Sequence, residues 1–243
     1  MVEIKQTAEA SAGGICFQET SLTVLESKIA ELKEQLLTMA AVVEEMLGNS
    51  IKALVTGNRA LAEQVVSYDE PRVNRLETAN EDAAINLMAL YQPEASNLRT
   101  ITMVIKINND LERLGDHAVN IAQSALFLVG KPLVKPLVDL PHMAELAIAM
   151  LKDSLDSFTE YNADLAQSVC TRDNAVDELN RRIKAELMEY MAKDSSTIER
   201  AMKLMMISLN LERVADLATN ISEDVIYIVT GRDIKHHLCS PDE

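Results

Sequence analysis

Two stretches of this chain repeat each other. Leu111-Glu-Arg-Leu-Gly-Asp-His-Ala-Val-Asn-Ile-Ala122 overlies Leu211-Glu-Arg-Val-Ala-Asp-Leu-Ala-Thr-Asn-Ile-Ser222 at a spacing of 100 residues, with seven of the 12 positions identical. Upstream, Asn58, Leu61, Ala62, Val65 and Asp69 match Asn162, Leu165, Ala166, Val169 and Asp173 at a spacing of 104. Such repetition restricts the chain to folds that build one supersecondary unit twice. The four-residue change in spacing is roughly one helical turn, and the region of Pro71 is where the first copy can absorb it.

The repeated unit is helical. Leu22, Leu25, Ile29, Leu32, Leu36, Met39, Val43 and Met46 step by threes and fours and form one apolar stripe, which ends near Leu54 and is stopped by Gly57-Asn58. A second helix is expected from Asn58, as N-cap, to Tyr91, kinked or briefly interrupted at Pro71 and closed by Gln92-Pro93. A third runs from about Ala95 to Val129. Three prolines between Gly130 and Pro141 mark a linker, after which helices are expected over about 142–161, 163–192 and 196–230. The predicted fold is therefore all-α: two tandem, pseudo-symmetric three-helix bundles with six long helices. The bundles would span 21–130 and 142–231, joined by a Pro-rich linker at 131–141 and flanked by flexible tails at 1–20 and 232–243.

Composition agrees. With only 7 Gly, 6 Pro, no Trp and 3 % aromatic residues, a β-sandwich or barrel lacks its turns and its strand formers. No run reaches the roughly 18–20 apolar residues of a membrane helix, so the chain is not expected to be membrane-embedded. A net charge of −15 with the basic residues scattered singly excludes nucleic acid as a partner and favours cations and basic protein surfaces. Cys16, Cys170 and Cys239 are odd in number and lack motif spacing, which reads as free thiols in a cytoplasmic protein.

The chemistry-bearing feature is a polar stripe. Glu112, Asp116 and Asn120 fall at i, i+4 and i+8, as do Glu212, Asp216 and Asn220, with Asn108 and Ser208 extending it upstream and Ser124 and Asp224 downstream. Alone, either stripe is the solvated face of an amphipathic helix. Yet acidic residues at i, i+4 repel each other, and the same unfavourable pair recurs in both halves. A cation between the carboxylates would turn repulsion into attraction, and carboxylate with amide oxygens suits hard metals. Arg113 and Arg213 could instead neutralise Asp116 and Asp216 through i, i+3 contacts. Gly115, paired with Ala215, costs about 1 kcal/mol inside a helix; either a close helix–helix approach or space beside the carboxylates would justify it. His117, next to Asp116, has Leu217 as its counterpart, and His236, His237 and Cys239 read as an ordinary tail. The run Met202-Lys-Leu-Met-Met206 fits helical packing. No glycine-rich phosphate loop occurs, and the Glu-x-x-His pairs of a di-iron bundle are missing from these helices.

Glu112-Arg-Leu-Gly-Asp116 and Glu212-Arg-Val-Ala-Asp216, each followed by Asn-Ile, resemble the paired E(D)xxxD signature of the PhoU family, regulators of phosphate uptake. The resemblance covers residues 22–231 and includes Asp69 and Leu98-Arg99. It implies two three-helix bundles, iron or zinc clusters on the bundle surface, and a homodimer. It further implies a negative regulator that links the ATPase subunit of a phosphate ABC transporter to a phosphate-sensing histidine kinase. Carried over, the metal-site residues are Glu112, Asp116, Glu212 and Asp216; Asn120 and Asn220 join them from helical geometry. On this basis the chain is not an enzyme. A metal-dependent hydrolase and a metal-free helical scaffold are the alternatives.

Overall fold

A computed structural model describes the backbone of residues 12–232 and 234, with side chains from Val24 onward. Helix α1 covers Ala12–Thr56. Helix α2 is a continuous rod made of Arg59–Gln64, a π-helical turn at Val65–Asp69, and Glu70–Tyr91. Helices α3, α4, α5 and α6 cover Ala95–Leu128, Asp139–Glu160, Ala163–Lys193 and Ile198–Thr230, the last preceded by a 3-10 turn at Ser195–Thr197. No strand occurs among the described residues.

The local signals act as expected. Asn58 Oδ1 accepts from the Ala60 and Leu61 N–H groups, and Asn162 Oδ1 accepts from Leu165 N–H, so each second helix begins on an asparagine cap. Gly57, at φ +64°, turns the chain out of α1 in the left-handed region where glycine has no steric cost. Two boundaries differ from expectation. Helix α1 already runs from Ala12, inside the stretch taken for a tail, because extending an established helix adds a hydrogen bond per residue without a new nucleus. Helix α4 begins at Asp139, since Pro141 falls within its first turn, where a missing N–H is harmless. Residues 1–11, and His236, His237 and Cys239 near the other end, lie outside the described residues, as does the Cys16 side chain.

The predicted apolar stripe of α1 is buried from Leu25 to Met46. It packs on α2 and α3 to form the first bundle; α4, α5 and α6 form the second. The bundles are not beads on a string. Helix α3 lies along α6, α1 lies against α4, and the buried residues of both halves form one continuous apolar cluster. In the linker, Lys135 is buried and its Nζ donates to Asp139 and Glu186, while Arg182 bonds Asp139 at 2.7 Å, so the connection is pinned to α4 and α5.

Helix α2 contains the break in the repeat. The capping Asn58 and Asn162 are 104 residues apart, whereas the buried Asn80 and Asn180 are 100 apart. One extra turn therefore lies between cap and asparagine in the first half. Four residues overshoot an α-helical turn by about 40°, and the wider π turn takes up that excess. Ala62 before it, Val65 at its start and Val73, Ala84 and Leu87 after it thus all face the core. The same turn accommodates Pro71: Glu70 N–H reaches back to Val65 O, and the proline sits at the start of the following α segment, where its missing donor costs little.

Candidate functional site

Helices α3 and α6 run antiparallel through the middle of the molecule. His117 Nδ1 lies 2.9 Å from Asn210 Oδ1, Lys106 Nζ lies 3.9 Å from Asp224 Oδ1, and Arg99 lies over the Tyr227 ring. This crossing puts the two motif segments side by side. Between them opens a groove of about 610 Å3 lined by Arg113, Asp116, His117 and Asn120 from α3 and Arg213, Asp216, Leu217 and Asn220 from α6.

Four of the six predicted site residues, Asp116, Asn120, Asp216 and Asn220, share this groove. Glu112 and Glu212 do not line it; each faces the acidic side chains of its own bundle. Burial raises the Glu112 carboxyl above its usual value, and the charges of Asp116, Glu77 and Glu70 add to the rise. Glu212 is raised in the same way by burial, then by Asp216 and Asp177. Asp216 is raised by burial and by Asp173 and Asp177, and Asp173 by burial, Asp177 and Glu212. The repulsion inferred from i, i+4 spacing is therefore present in both halves, reinforced by carboxylates from α2 and α5.

Those reinforcing residues were missed in sequence. Glu77 and Asp177 are an acidic pair at the spacing of 100 and stand three residues before Asn80 and Asn180; resetting the register after Pro71 would have found them. The same reset removes one apparent equivalence. Asp69 matches Asp173 by pattern but accepts a hydrogen bond from Gln64, at 3.5 Å, and is raised by burial and by Glu45 on α1. At the spacing of 100 shared by Asn80 and Asn180, the counterpart of Asp173 is Val73.

The stripe is not a solvated face along its length. Asn108 and Asp224 are each 2 % exposed, and Ser124 and Ser208 are also buried. Asn80 Nδ2 donates to Asn108 Oδ1 at 2.9 Å, Asn108 Nδ2 donates to Glu77 O at 3.0 Å, and Ser208 Oγ donates to Asn180 Oδ1 at 2.7 Å. These bonds lock α2 to α3 and α5 to α6, and with them the height at which Glu77 and Asp177 meet the motif glutamates.

Arg113 bonds Asp110 at 3.3 Å rather than Asp116, and among the described residues Arg213 has no carboxylate within ion-pair distance. Neither arginine forms the i, i+3 pair considered above, although the Arg213 charge still partly offsets the rise at Glu212 and Asp216. A Cβ on Gly115 would stand 3.3 Å from Val73 Cγ1, so this glycine serves the close approach of α2 to α3. Burial holds His117 below its ordinary value, only partly countered by Asn210. Asn210 Nδ2 donates to Met206 O, which leaves its Oδ1 to accept the Nδ1 proton of His117. The Cys170 thiol is free and pushed up to about 11 by burial and the charge of Glu223, which makes it a poor nucleophile. Met202 and Met206 are exposed rather than packed; Leu204 and Met205 turn inward.

In kind, the donors suit a hard cation, and Asp173 Oδ1 is a buried oxygen without a hydrogen-bond partner. In spacing they stop short: among the described residues no three His, Cys, Asp or Glu side chains converge closely enough to hold one ion. No helix among the described residues is long and apolar enough to cross a membrane.

Comparison with known proteins bears on this arrangement. The family model for the PhoU domain matches residues 36–125 and again 140–225. A phosphate-specific transport system accessory protein PhoU homolog of Aquifex aeolicus is 41 % identical over 212 residues, which covers 87 % of this chain and 96 % of that protein. The accessory protein PhoU of Escherichia coli is 33 % identical over 210 residues, 86 % of this chain and 87 % of its own length. The crystal structure of PhoU from Pseudomonas aeruginosa superposes with a TM-score of 0.82 at 32 % identity, covering 85 % of this chain and 99 % of that one. PhoU from Streptococcus pneumoniae gives 0.80 at 29 % identity, covering 86 % and 98 %.

Proposed function

Because this chain belongs to the PhoU family, we propose that it is a cytoplasmic negative regulator of phosphate uptake and of phosphate-starvation signalling. It acts by recognition, as an adaptor between the ATPase subunit of a phosphate ABC transporter and a phosphate-sensing histidine kinase, and it works as a homodimer. The observation that carries this reading is the α3–α6 pairing, which brings both copies of the signature to one groove on an otherwise strongly acidic body. Direct binding tests it. The chain is expected to associate with the ATPase subunit and with the cytoplasmic part of the kinase, and a strain lacking it is expected to express starvation genes in high phosphate. Association with neither protein would refute the adaptor role.

The metal reading belongs to the same proposal. Glu112 and Asp116 with Glu77, and Glu212 and Asp216 with Asp173 and Asp177, would hold iron or zinc, with the Asn120 and Asn220 amide oxygens beside them. What supports it is the cost of leaving these carboxylates together uncompensated: each group with a shifted value is shifted upward. A cation would draw them together and relieve that repulsion. Elemental analysis of protein purified without an affinity tag is expected to find metal that is lost in the Glu112→Ala/Asp116→Ala/Glu212→Ala/Asp216→Ala variant. No metal after reconstitution would leave a metal-free adaptor.

A further inference from the structure

We infer that the apolar cavity at the end of the molecule where α1, α3 and the linker meet is a docking site for an acidic partner segment with an apolar anchor residue. The cavity measures about 200 Å3, and Leu54, Ala125, Leu128 and Leu204 are among the residues that line it. A cavity of about 150 Å3 lined by leucine, isoleucine and phenylalanine accepts a benzene ring, so the volume here has room for a leucine or phenylalanine side chain on its leucine-lined part. Among the described residues nothing closes its mouth: Val55 and Leu133 line it yet are 51 % and 68 % exposed.

Charge selects the occupant. On a chain of net charge −15, this mouth is cationic. Lys131 and Arg200 line the cavity, and Lys203 stands next to it: Lys131 Nζ and Lys203 Nζ lie 3.1 Å and 5.4 Å from the centroid of the same Phe127 ring. Two ammonium groups on one ring repel each other, and an anion between them would reverse that. Among the described residues, none of these three cations has a carboxylate within ion-pair distance. Asp194 feels the Arg200 charge but does not reach it. Arg200 is also preset: its two terminal nitrogens donate to Pro132 O at 2.6 Å and Ser196 O at 3.2 Å, which fixes the guanidinium at the mouth. Carboxylates flanking an apolar side chain would meet this rim while the side chain fills the cavity, the arrangement of a buried anchor within a charged ring.

This surface adds a contact to the adaptor reading and fails separately from it, since that reading is tested by association with the two proteins themselves. The test is calorimetric titration of the full chain with the blocked peptides Ac-Glu-Leu-Phe-Glu-NH2, Ac-Lys-Leu-Phe-Lys-NH2 and Ac-Glu-Gly-Gly-Glu-NH2. The first is expected to bind one per chain, and the other two at least tenfold more weakly. Lys131→Glu/Lys203→Glu, at an exposed and a half-buried position and checked for an unchanged melting temperature, is expected to weaken the first peptide at least tenfold. Val55→Asp, which leaves the cavity floor intact, is expected to weaken it as well. No binding of the first peptide, equal binding of all three, or full affinity in the Lys131→Glu/Lys203→Glu variant would each overturn the inference.

Discussion

Ser208→Ala tests the bond that sets the register of the second bundle. Ser208 Oγ donates to Asn180 Oδ1 at 2.7 Å, with the two residues 0 % and 3 % exposed. Removing the hydroxyl deletes one hydrogen bond and strands a buried amide oxygen; together these cost about 1–3 kcal/mol. The lost volume is a single oxygen, so a cavity adds little. We therefore expect a loss of about 2 kcal/mol, read as a urea midpoint lowered by ~0.7–1 M with an unchanged slope. Asn180→Leu/Ser208→Ala leaves no polar group unsatisfied and is expected to recover most of the loss, giving a coupling energy of at least ~1 kcal/mol in a double-mutant cycle. Ser208→Ala within ~0.5 kcal/mol of the parent, or strictly additive single variants, would refute the argument. The same bond holds Asp177, three residues before Asn180, against Glu212. Any metal held by the second cluster should therefore be bound more weakly in Ser208→Ala, while the first cluster is unaffected.

The carboxylate clusters give a pH signature. Glu212 is raised above its ordinary 4.5 on folding, so its penalty is fully present above the folded value and vanishes below the unfolded one. Glu212→Gln should stabilise the metal-free protein at pH 7 by a few tenths to about 1 kcal/mol, and its advantage should fade as pH falls toward 4.5; an advantage that grows on acidification would contradict the assignment. The difference between parent and variant cancels His117, whose lowered value makes folding lose stability as pH falls through 6.5. Gly115→Ala should destabilise by about 1 kcal/mol despite its helix propensity, because the stiff Val73 side chain cannot turn away; in a Val73→Ala background the same change should become stabilising, as melting temperatures will show. Lys135→Met removes the buried partner of Asp139 and Glu186 and should cost about 1–2 kcal/mol, moderated because Arg182 still pairs Asp139. Asp139 is held below its ordinary 3.8 by Lys135 and Arg182. The contribution of this network should therefore persist above that value and disappear as pH falls through the folded one, which acid titration of parent and variant will separate.

Much of the fold was legible because its signals are local. The three-and-four spacing of Leu25 to Met46 needs only the geometry of one helix, and Asn58 and Asn162 cap within three residues of themselves. The repeat identified Asp116, Asn120, Asp216 and Asn220 as equivalent in pairs, and the groove now holds all four. What helical phase alone could not tell was which side of the polar stripe is dry. Asn108, Ser208, Ser124 and Asp224 have the same polarity in sequence as Asp116, and only the packing of neighbouring helices decides that they are buried.

The sequence by itself determined six helices, two equivalent bundles and a repeated acidic signature, because periodicity, capping and repetition act over a few residues or are read by counting. The tertiary structure alone decided that α3 and α6 lie antiparallel in contact, so that two signatures 100 residues apart share one groove. It also decided that a π turn before Pro71 takes up the angular overshoot of the four extra residues in α2, so that Val73 packs beside Gly115 of α3. Contacts between helices depend on how whole faces fit, and a four-residue slip leaves the apolar pattern almost unchanged while it exchanges a valine for a carboxylate beside the site.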